Sequence, residues 1–466
     1  MRRILGLLAT AALTVAVLPM TSAAAKPPDR SACEGRDGIA VPGAELQRVS
    51  PCLSDLTTTG LLAAGQDGVY TDAADFAGLH AAGTVNPRGV RGVQVDGYFP
   101  DTSTTNALHG WNHDSQFVIR LPERWNGRLV VAGAPGVRKQ YSSDFMVSDR
   151  VIARGYAYAS IDKGNTGAFF FRDGKEPGDA MREWHLRTTQ VARAAQAVVR
   201  QAYGEPARST YMTGVSNGGY LTRWQLENAP GVFDGGVESE GTLFEAGNNL
   251  LGSLPQALRA YPAFRDAQPG PVKEAARQAM YRAGFEPGSE LLWDLHHRVY
   301  WDLTQRIYRE ELDPTYDGAL EAGITPTCPL GALGCATQDI AYDVATRPAV
   351  AQALRGLTLT GKLKRPLLSL HGDLDSLLPI DLHGTRYAEL VAEQRRSRLH
   401  RLYVVERGQH VDSFVTMFPE GELRAMLPCY TDAFRALVEW VEQGVEPPAS
   451  GPVERVAGAA VNRCRL

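Results

Sequence analysis

Between Arg128 and Ser239, short apolar runs alternate with stretches whose apolar residues recur at helical spacing. This alternation narrows the fold more than any other feature of the chain. Arg128 to Gly133, Tyr156 to Ile161, Ser209 to Val215 and Asp234 to Ser239 read as strands. Asp149 to Gly155 reads as a short helix ended by glycine. Trp184 to Tyr203, with Leu186, Val191, Ala194, Ala197 and Val198 on one stripe, reads as a long helix that Gly204 stops, and Asn217 to Asn228 as another. Strands that alternate with helices assemble into a mostly parallel sheet with helices on both faces, an α/β fold.

The pattern extends in both directions. Upstream, Gly92 to Phe99 and Ser115 to Leu121 carry β-branched and aromatic residues. Downstream, the sheet pattern returns at Arg365 to Leu370 and Leu402 to Val405, and Tyr430 to Gln443 reads as a closing helix. Residues 241–363 interrupt it. They are rich in Trp, Tyr, Arg and Pro, with helical stretches at Pro271 to Ala283 and Leu291 to Glu311, and read as a helical lid insertion. The expected organisation is therefore a loop-rich extension over 26–91, a core over 92–240 and 364–466, and the lid over 241–363.

The first 25 residues stand apart. Arg2 and Arg3 precede an apolar run from Ile4 to Leu18, and Ala23, Ala24 and Ala25 offer a small-residue cleavage site, the pattern of a secretory signal peptide. The run is shorter than the ~20 apolar residues of a spanning helix, so the expectation is export rather than a membrane anchor. Loss of this segment removes two arginines and no acid, so the formal charge of −4 becomes −6, which argues against nucleic acid as a partner. Cys33, Cys52, Cys328, Cys335, Cys429 and Cys464 make an even set, as suits an oxidising compartment. Near-neighbour pairing would join Cys33 to Cys52, Cys328 to Cys335 and Cys429 to Cys464.

The chemistry is written at Gly214-Val215-Ser216-Asn217-Gly218-Gly219, a G-x-S-x-G between an apolar strand and a helix. In that setting it is a nucleophile elbow, which lifts the Ser216 hydroxyl above a helix N-terminus. Such a serine needs an acid and then a histidine later in the chain. Leu367 to Leu370 runs into His371-Gly372-Asp373-Leu374-Asp375, where Asp375 is preferred to Asp373; Glu238 and Glu240, at an earlier strand end, are further candidates. Of His383, His400 and His410, only His410 lies in a loop just after an apolar strand. The oxyanion hole is expected from the main-chain N–H of Asn217 and of Gly136 or Val137, because Pro135 has no N–H to give. Val137, Asp162, Phe244 and Trp301 are candidates to line a substrate pocket. The Gly133 to Val137 loop lacks the spacings of a nucleotide cradle, and adjacent His296 and His297 would point about 100° apart on a helix, so no cofactor and no metal is expected.

With these three motifs in this order, Arg128 to Gln443 resembles the α/β-hydrolase fold. The lead-in over Gly92 to Leu121 and the long insertion are similar to the tannase and feruloyl esterase group, and also to secreted 3-hydroxybutyrate-oligomer hydrolases. In the tannase group cysteines stand directly before the serine and directly after the histidine. Val215 and Val411 take those places here, so what the resemblance implies is the fold and an ester-cleaving tendency. The expectation is a secreted serine hydrolase acting through an acyl-enzyme on small, aromatic or hydroxyacid-oligomer esters. An amidase or peptidase with the same triad is the alternative, and a non-catalytic binding module a third reading.

Overall fold

The computed structural model describes residues 38–65, 68–316, 340–453 and 461–466. The expected signal segment, Cys33, Cys328 and Cys335 lie outside them. The described residues form a ten-stranded sheet: β1 (Leu46–Leu53), β2 (Gly92–Tyr98), β3 (Gln116–Pro122), β4 (Arg128–Gly133), β5 (Ala157–Ile161), β6 (Ser209–Val215), β7 (Gly235–Ser239), β8 (Leu367–Gly372), β9 (His400–Val405) and β10 (Gly451–Pro452). The spatial order is β1-β2-β3-β5-β4-β6-β7-β8-β9-β10. β1, β2, β3 and β5 pair antiparallel in turn, whereas every pair from β5 across to β10 is parallel.

The centre of the sheet is covered on both faces, which is why its strands are apolar almost throughout. Leu129 and Val131 of β4 enter one apolar core, with Trp184, Val191 and Val198 of the helix Asp179–Tyr203. Val130 and Ala132 enter the other, with Tyr430, Phe434 and Leu437 of the helix Leu427–Gln443. A disulfide joins Cys429 on that helix to Cys464 in the tail, the pairing expected from their proximity. No helix among the described residues is long and apolar enough to cross a membrane.

Three differences from the sequence reading have local causes. The extension is not only loop, because Leu46–Leu53 adds an edge strand against β2, with a register shift after Ser50 that breaks the alternation a sequence pattern would show. In the insertion, Leu250–Asp266 is helical despite Pro255 and Pro262, residues that mask a helix in the sequence. The expected long helix is two, Glu290–Val299 and Trp301–Leu312, because Tyr300 departs to φ −104° between them. Phe244, Leu254, Trp293, Trp301 and Tyr308 of the insertion share one core cluster with the sheet.

Strand register sets the position of the site. Gly133 of β4 lies opposite Gly214 of β6, Val215 opposite Ser239 of β7, Ser239 opposite Leu370 of β8, and Gly372 opposite Val405 of β9. The loops after these five strands therefore leave from one edge, the carboxyl end of the parallel strands, where ligands bind in open α/β sheets.

Candidate active site

Ser216 joins β6 to the helix Asn217–Asn228 with φ 59° and ψ −120°, a conformation that costs a non-glycine residue on the order of 1–3 kcal/mol. Hydrogen bonds on both sides hold it there. Its N–H donates to the Ser239 carbonyl at 2.9 Å, and its carbonyl accepts from Tyr220 N–H at 2.9 Å. The flanking glycines are required by close approach. A Cβ on Gly214 would lie 2.7 Å from Gly218 Cα, and one on Gly218 would lie 2.9 Å from the carbonyl carbon of Gly133. The elbow is thus seated directly on the end of β4, and Ser216 keeps part of its surface exposed.

Glycines also bring the acid turn and the histidine loop together. A Cβ on Gly408 would lie 2.9 Å from Gly372 Cα, and Leu374 N–H donates to the Gly408 carbonyl at 3.0 Å. This apposition places His410 Nδ1 2.8 Å from Asp375 Oδ2, with both side chains buried. The other carboxylate oxygen, Oδ1, accepts the N–H groups of Leu377 at 2.8 Å and Leu378 at 2.9 Å. Burial works against ionisation of Asp375, but His410, His371 and the Leu378 amide outweigh it and hold the carboxyl at about 2. Asp373 turns elsewhere and accepts Arg407 N–H at 2.6 Å. Of the two aspartates, Asp375 is the one that meets the imidazole.

Asp375, His410 and Glu240 offer donor atoms within 4.8 Å of one another, close enough to ligate a cation. Asp375 is already engaged by one imidazole and two amides, so the geometry is that of an acid orienting a base. Asp101, Asp173 and Glu183 form a similar cluster, in which Arg187 pairs with Asp101 at 2.9 Å and with Glu183 at 2.7 Å.

On the opposite side of Ser216 lies the loop after β4, where Gly136 and Val137 are partly exposed. The Asn217 side chain fastens this loop to the elbow: Nδ2 donates to the Gly136 carbonyl at 3.0 Å and to the Tyr308 hydroxyl, while Oδ1 accepts from Thr242 at 3.1 Å. Beneath it, the buried Lys163 Nζ donates to the carbonyls of Ala134 at 3.1 Å and Arg138 at 3.4 Å, gripping the loop at both ends. Burial lowers the Lys163 ammonium to about 8, with Asp162 opposing that shift.

Three residues expected to line a pocket are placed otherwise. Asp162 is fully buried and accepts from Asn106 at 2.7 Å, Gln116 N–H at 3.0 Å and Gly164 N–H at 3.0 Å, so it braces a turn. Phe244 has no exposed surface and meets Tyr220 edge-on at 5.1 Å. Trp301, also fully buried, donates its indole N–H to the Ser376 carbonyl at 2.6 Å, immediately after Asp375. The insertion's aromatic residues thus buttress the acid turn (Trp301) and the elbow (Tyr308). Val137 alone of the four keeps surface at the site. Reasoning from sequence missed Lys163, Tyr308 and the Trp301 anchor, since only the tertiary fold brings these residues to the loops they hold.

Residues 103–253, which include the elbow, match the model of the tannase and feruloyl esterase family. Over 141 residues the chain is 26% identical to mono(2-hydroxyethyl) terephthalate hydrolase from Piscinibacter sakaiensis, a match that covers 28% of this chain and spans only 23% of that protein's length. Among solved structures, the chain is similar to feruloyl esterase B from Aspergillus oryzae, with TM-score 0.58, 14% identity, and coverage of 93% of this chain and 94% of that one. An esterase from Aspergillus oryzae superposes with TM-score 0.60 at 13% identity, covering 94% of each chain. At such identities the structural likeness speaks for the fold. The chain has the α/β-hydrolase fold, and its residues 103–253 match the tannase and feruloyl esterase family pattern.

Proposed function

We propose that this protein is a carboxylic ester hydrolase that works through an acyl-enzyme on Ser216. The observation that carries this reading is the convergence of an elbow serine held at φ 59° with a His410–Asp375 pair at 2.8 Å, on loops leaving the same sheet edge. His410 takes the Ser216 proton as the hydroxyl attacks the ester carbonyl. Asp375 keeps the imidazole in the tautomer that leaves its far nitrogen free to accept. The main-chain N–H of Asn217 and one from Gly136 or Val137 stabilise the oxyanion, and the Asn217 and Lys163 side chains hold that loop in place beforehand. His410 then protonates the departing alcohol and activates the water that releases the acid.

The substrate class we propose is small or oligomeric esters with an aromatic or hydroxyacid acyl group. The descriptions of the matched family and of the terephthalate-ester hydrolase, both naming esters of aromatic acids, support the aromatic part. The N-terminal pattern and the Cys429–Cys464 disulfide support export to an oxidising compartment. Rapid mixing with 4-nitrophenyl esters tests the mechanism. A burst of 4-nitrophenol close to one per active site, followed by slower turnover, is expected. A burst absent under conditions where hydrolysis of the acyl-enzyme limits the rate would count against a covalent intermediate. Matched hydroxycinnamoyl esters and anilides test the class, with esters favoured beyond their intrinsic reactivity.

A further inference from the structure

Glu240, the residue after β7, has no part in the mechanism above, yet it lies against the centre of it. Its N–H donates to the Leu370 carbonyl of β8 at 2.8 Å, which locks its backbone at the sheet edge beside the acid turn. It does so at φ 52°, a left-handed conformation unusual for glutamate. The carboxyl is buried and accepts Gly372 N–H at 3.3 Å. One carboxylate oxygen of Glu240, one of Asp375 and one ring nitrogen of His410 all lie within 4.8 Å of each other.

On the triad reading given above, we propose that Glu240 is a positioning residue that acts through His410, a second acid held in reserve behind Asp375. Two buried carboxyls this close do not both ionise. The charge resides on Asp375, which has His410 and two amides within 2.9 Å, whereas Glu240 has one amide at 3.3 Å. The proton therefore stays on Glu240. Burial, and then the Asp375 charge, push its carboxyl well above the ordinary range, and Asp412 and Glu238 act in the same direction. The groups facing it are Asp375 from the turn after β8, His410 and Asp412 from the loop after β9, Glu238 of β7 and Tyr430 on the last helix, while His371 of β8 lies 3.6 Å from the Asp375 carboxylate. Arg223 engages Glu238 at 2.7 Å. A cavity of about 20 Å³, room for a single water, adjoins Glu240 and His410.

Replacing Asp375 by Asn removes the neighbouring charge that, after burial, does most to keep Glu240 neutral. The Glu240 proton then passes to solvent, and its carboxylate faces the imidazole. The experiment compares kcat for Asp375→Asn, Glu240→Gln and the double variant on a 4-nitrophenyl ester, with melting temperatures to confirm folding. Loss of the orienting carboxylate costs on the order of 10⁴-fold in the serine-protease template. Asp375→Asn should retain more than that, with kcat lowered by about 10²-fold to 10³-fold. Adding Glu240→Gln should cost at least tenfold more, whereas Glu240→Gln beside an intact Asp375 should lower kcat by less than about fivefold. The residual kcat of Asp375→Asn should rise with pH at least one unit above the wild-type limb, a readout that needs no Glu240 variant to fold. A double variant equal to Asp375→Asn, or an Asp375→Asn profile unshifted from wild type, would overturn the proposal. Wild type no more active than Ser216→Ala would instead overturn the triad reading on which it rests.

Discussion

Adding one methyl group at Gly218 probes whether the elbow must sit on the end of β4. In Gly218→Ala the new Cβ would lie 2.9 Å from the Gly133 carbonyl carbon and nearer still to its oxygen, a clash with the backbone at the end of β4. Relieving it separates the elbow helix from β4 by about 1 Å, since apolar contacts begin near ~3.5 Å. Overpacking of this kind costs about 1–3 kcal/mol, and alanine in a helix recovers about 0.5–1 kcal/mol relative to glycine. Net destabilisation of about 0–2 kcal/mol is a melting shift of roughly 0–2 °C for a chain of this size. Catalysis should suffer more. The same displacement separates Asn217 from the Gly136 loop, and a misplacement of ~1 Å costs on the order of 10²-fold, about 2.7 kcal/mol of barrier. Gly231→Ala, where a Cβ meets nothing within 4 Å, serves as the control. Melting curves and kcat/KM on 4-nitrophenyl acetate measure both effects. A Gly218→Ala enzyme within twofold of Gly231→Ala in kcat/KM would refute the tight seating of elbow on strand.

Trp301→Phe keeps most of the ring packing but leaves the Ser376 carbonyl without its indole donor, so kcat should fall about tenfold at nearly constant KM, as expected when an interaction that aligns Asp375 is lost; a changed ranking among acyl groups would return Trp301 to the pocket wall. His185, His296, His383 and His400 are buried, and burial lowers each to about 3, against ~6.5 unfolded, so the unfolded chain binds more protons between those values. Their stability contribution is present above pH ~6.5 and lost as pH falls towards about 3, each adding up to about 1.4 kcal/mol per pH unit; denaturant titrations from pH 7 to 4 should show this slope, and flat stability would contradict neutral burial. Cys464→Ser opens the link to Cys429 across a separation of 35 residues, and should cost about 3–4 kcal/mol if the bond acts by constraining the unfolded chain; unchanged melting under oxidising conditions would show that the tail adds nothing.

The alternation from Arg128 to Ser239 reveals the parallel half of the sheet because strands buried on both faces must be apolar throughout. Ser216, Asp375 and His410 are equally visible, each standing just beyond such a strand. The edge strand Leu46–Leu53 is hidden because its burial is partial and its register slips. What supports the site is hidden for another reason. Nothing local in Lys163, Trp301 or Tyr308 distinguishes a residue that grips a catalytic loop from one that fills a core. Phe244 and Trp301 share the aromatic character of pocket residues, yet burial and hydrogen bonding assign them to packing and to the acid turn. Asp162 lies at the expected sheet edge but faces inward onto Asn106 and Gln116. Glu240 stands in the sequence as an alternative acid; the fold brings it beside Asp375 as an addition.

Active-site labelling tests whether Ser216 is the nucleophile. Incubation with a fluorophosphonate, followed by digestion and mass spectrometry, should place one adduct per chain on the peptide containing Ser216, in step with loss of esterase activity. Ser216→Ala should melt like wild type, take no label and lose hydrolysis by on the order of 10⁶-fold, the cost of removing the nucleophile in the subtilisin template. An adduct on a different residue, or a folded Ser216→Ala enzyme with near wild-type turnover, would contradict the account.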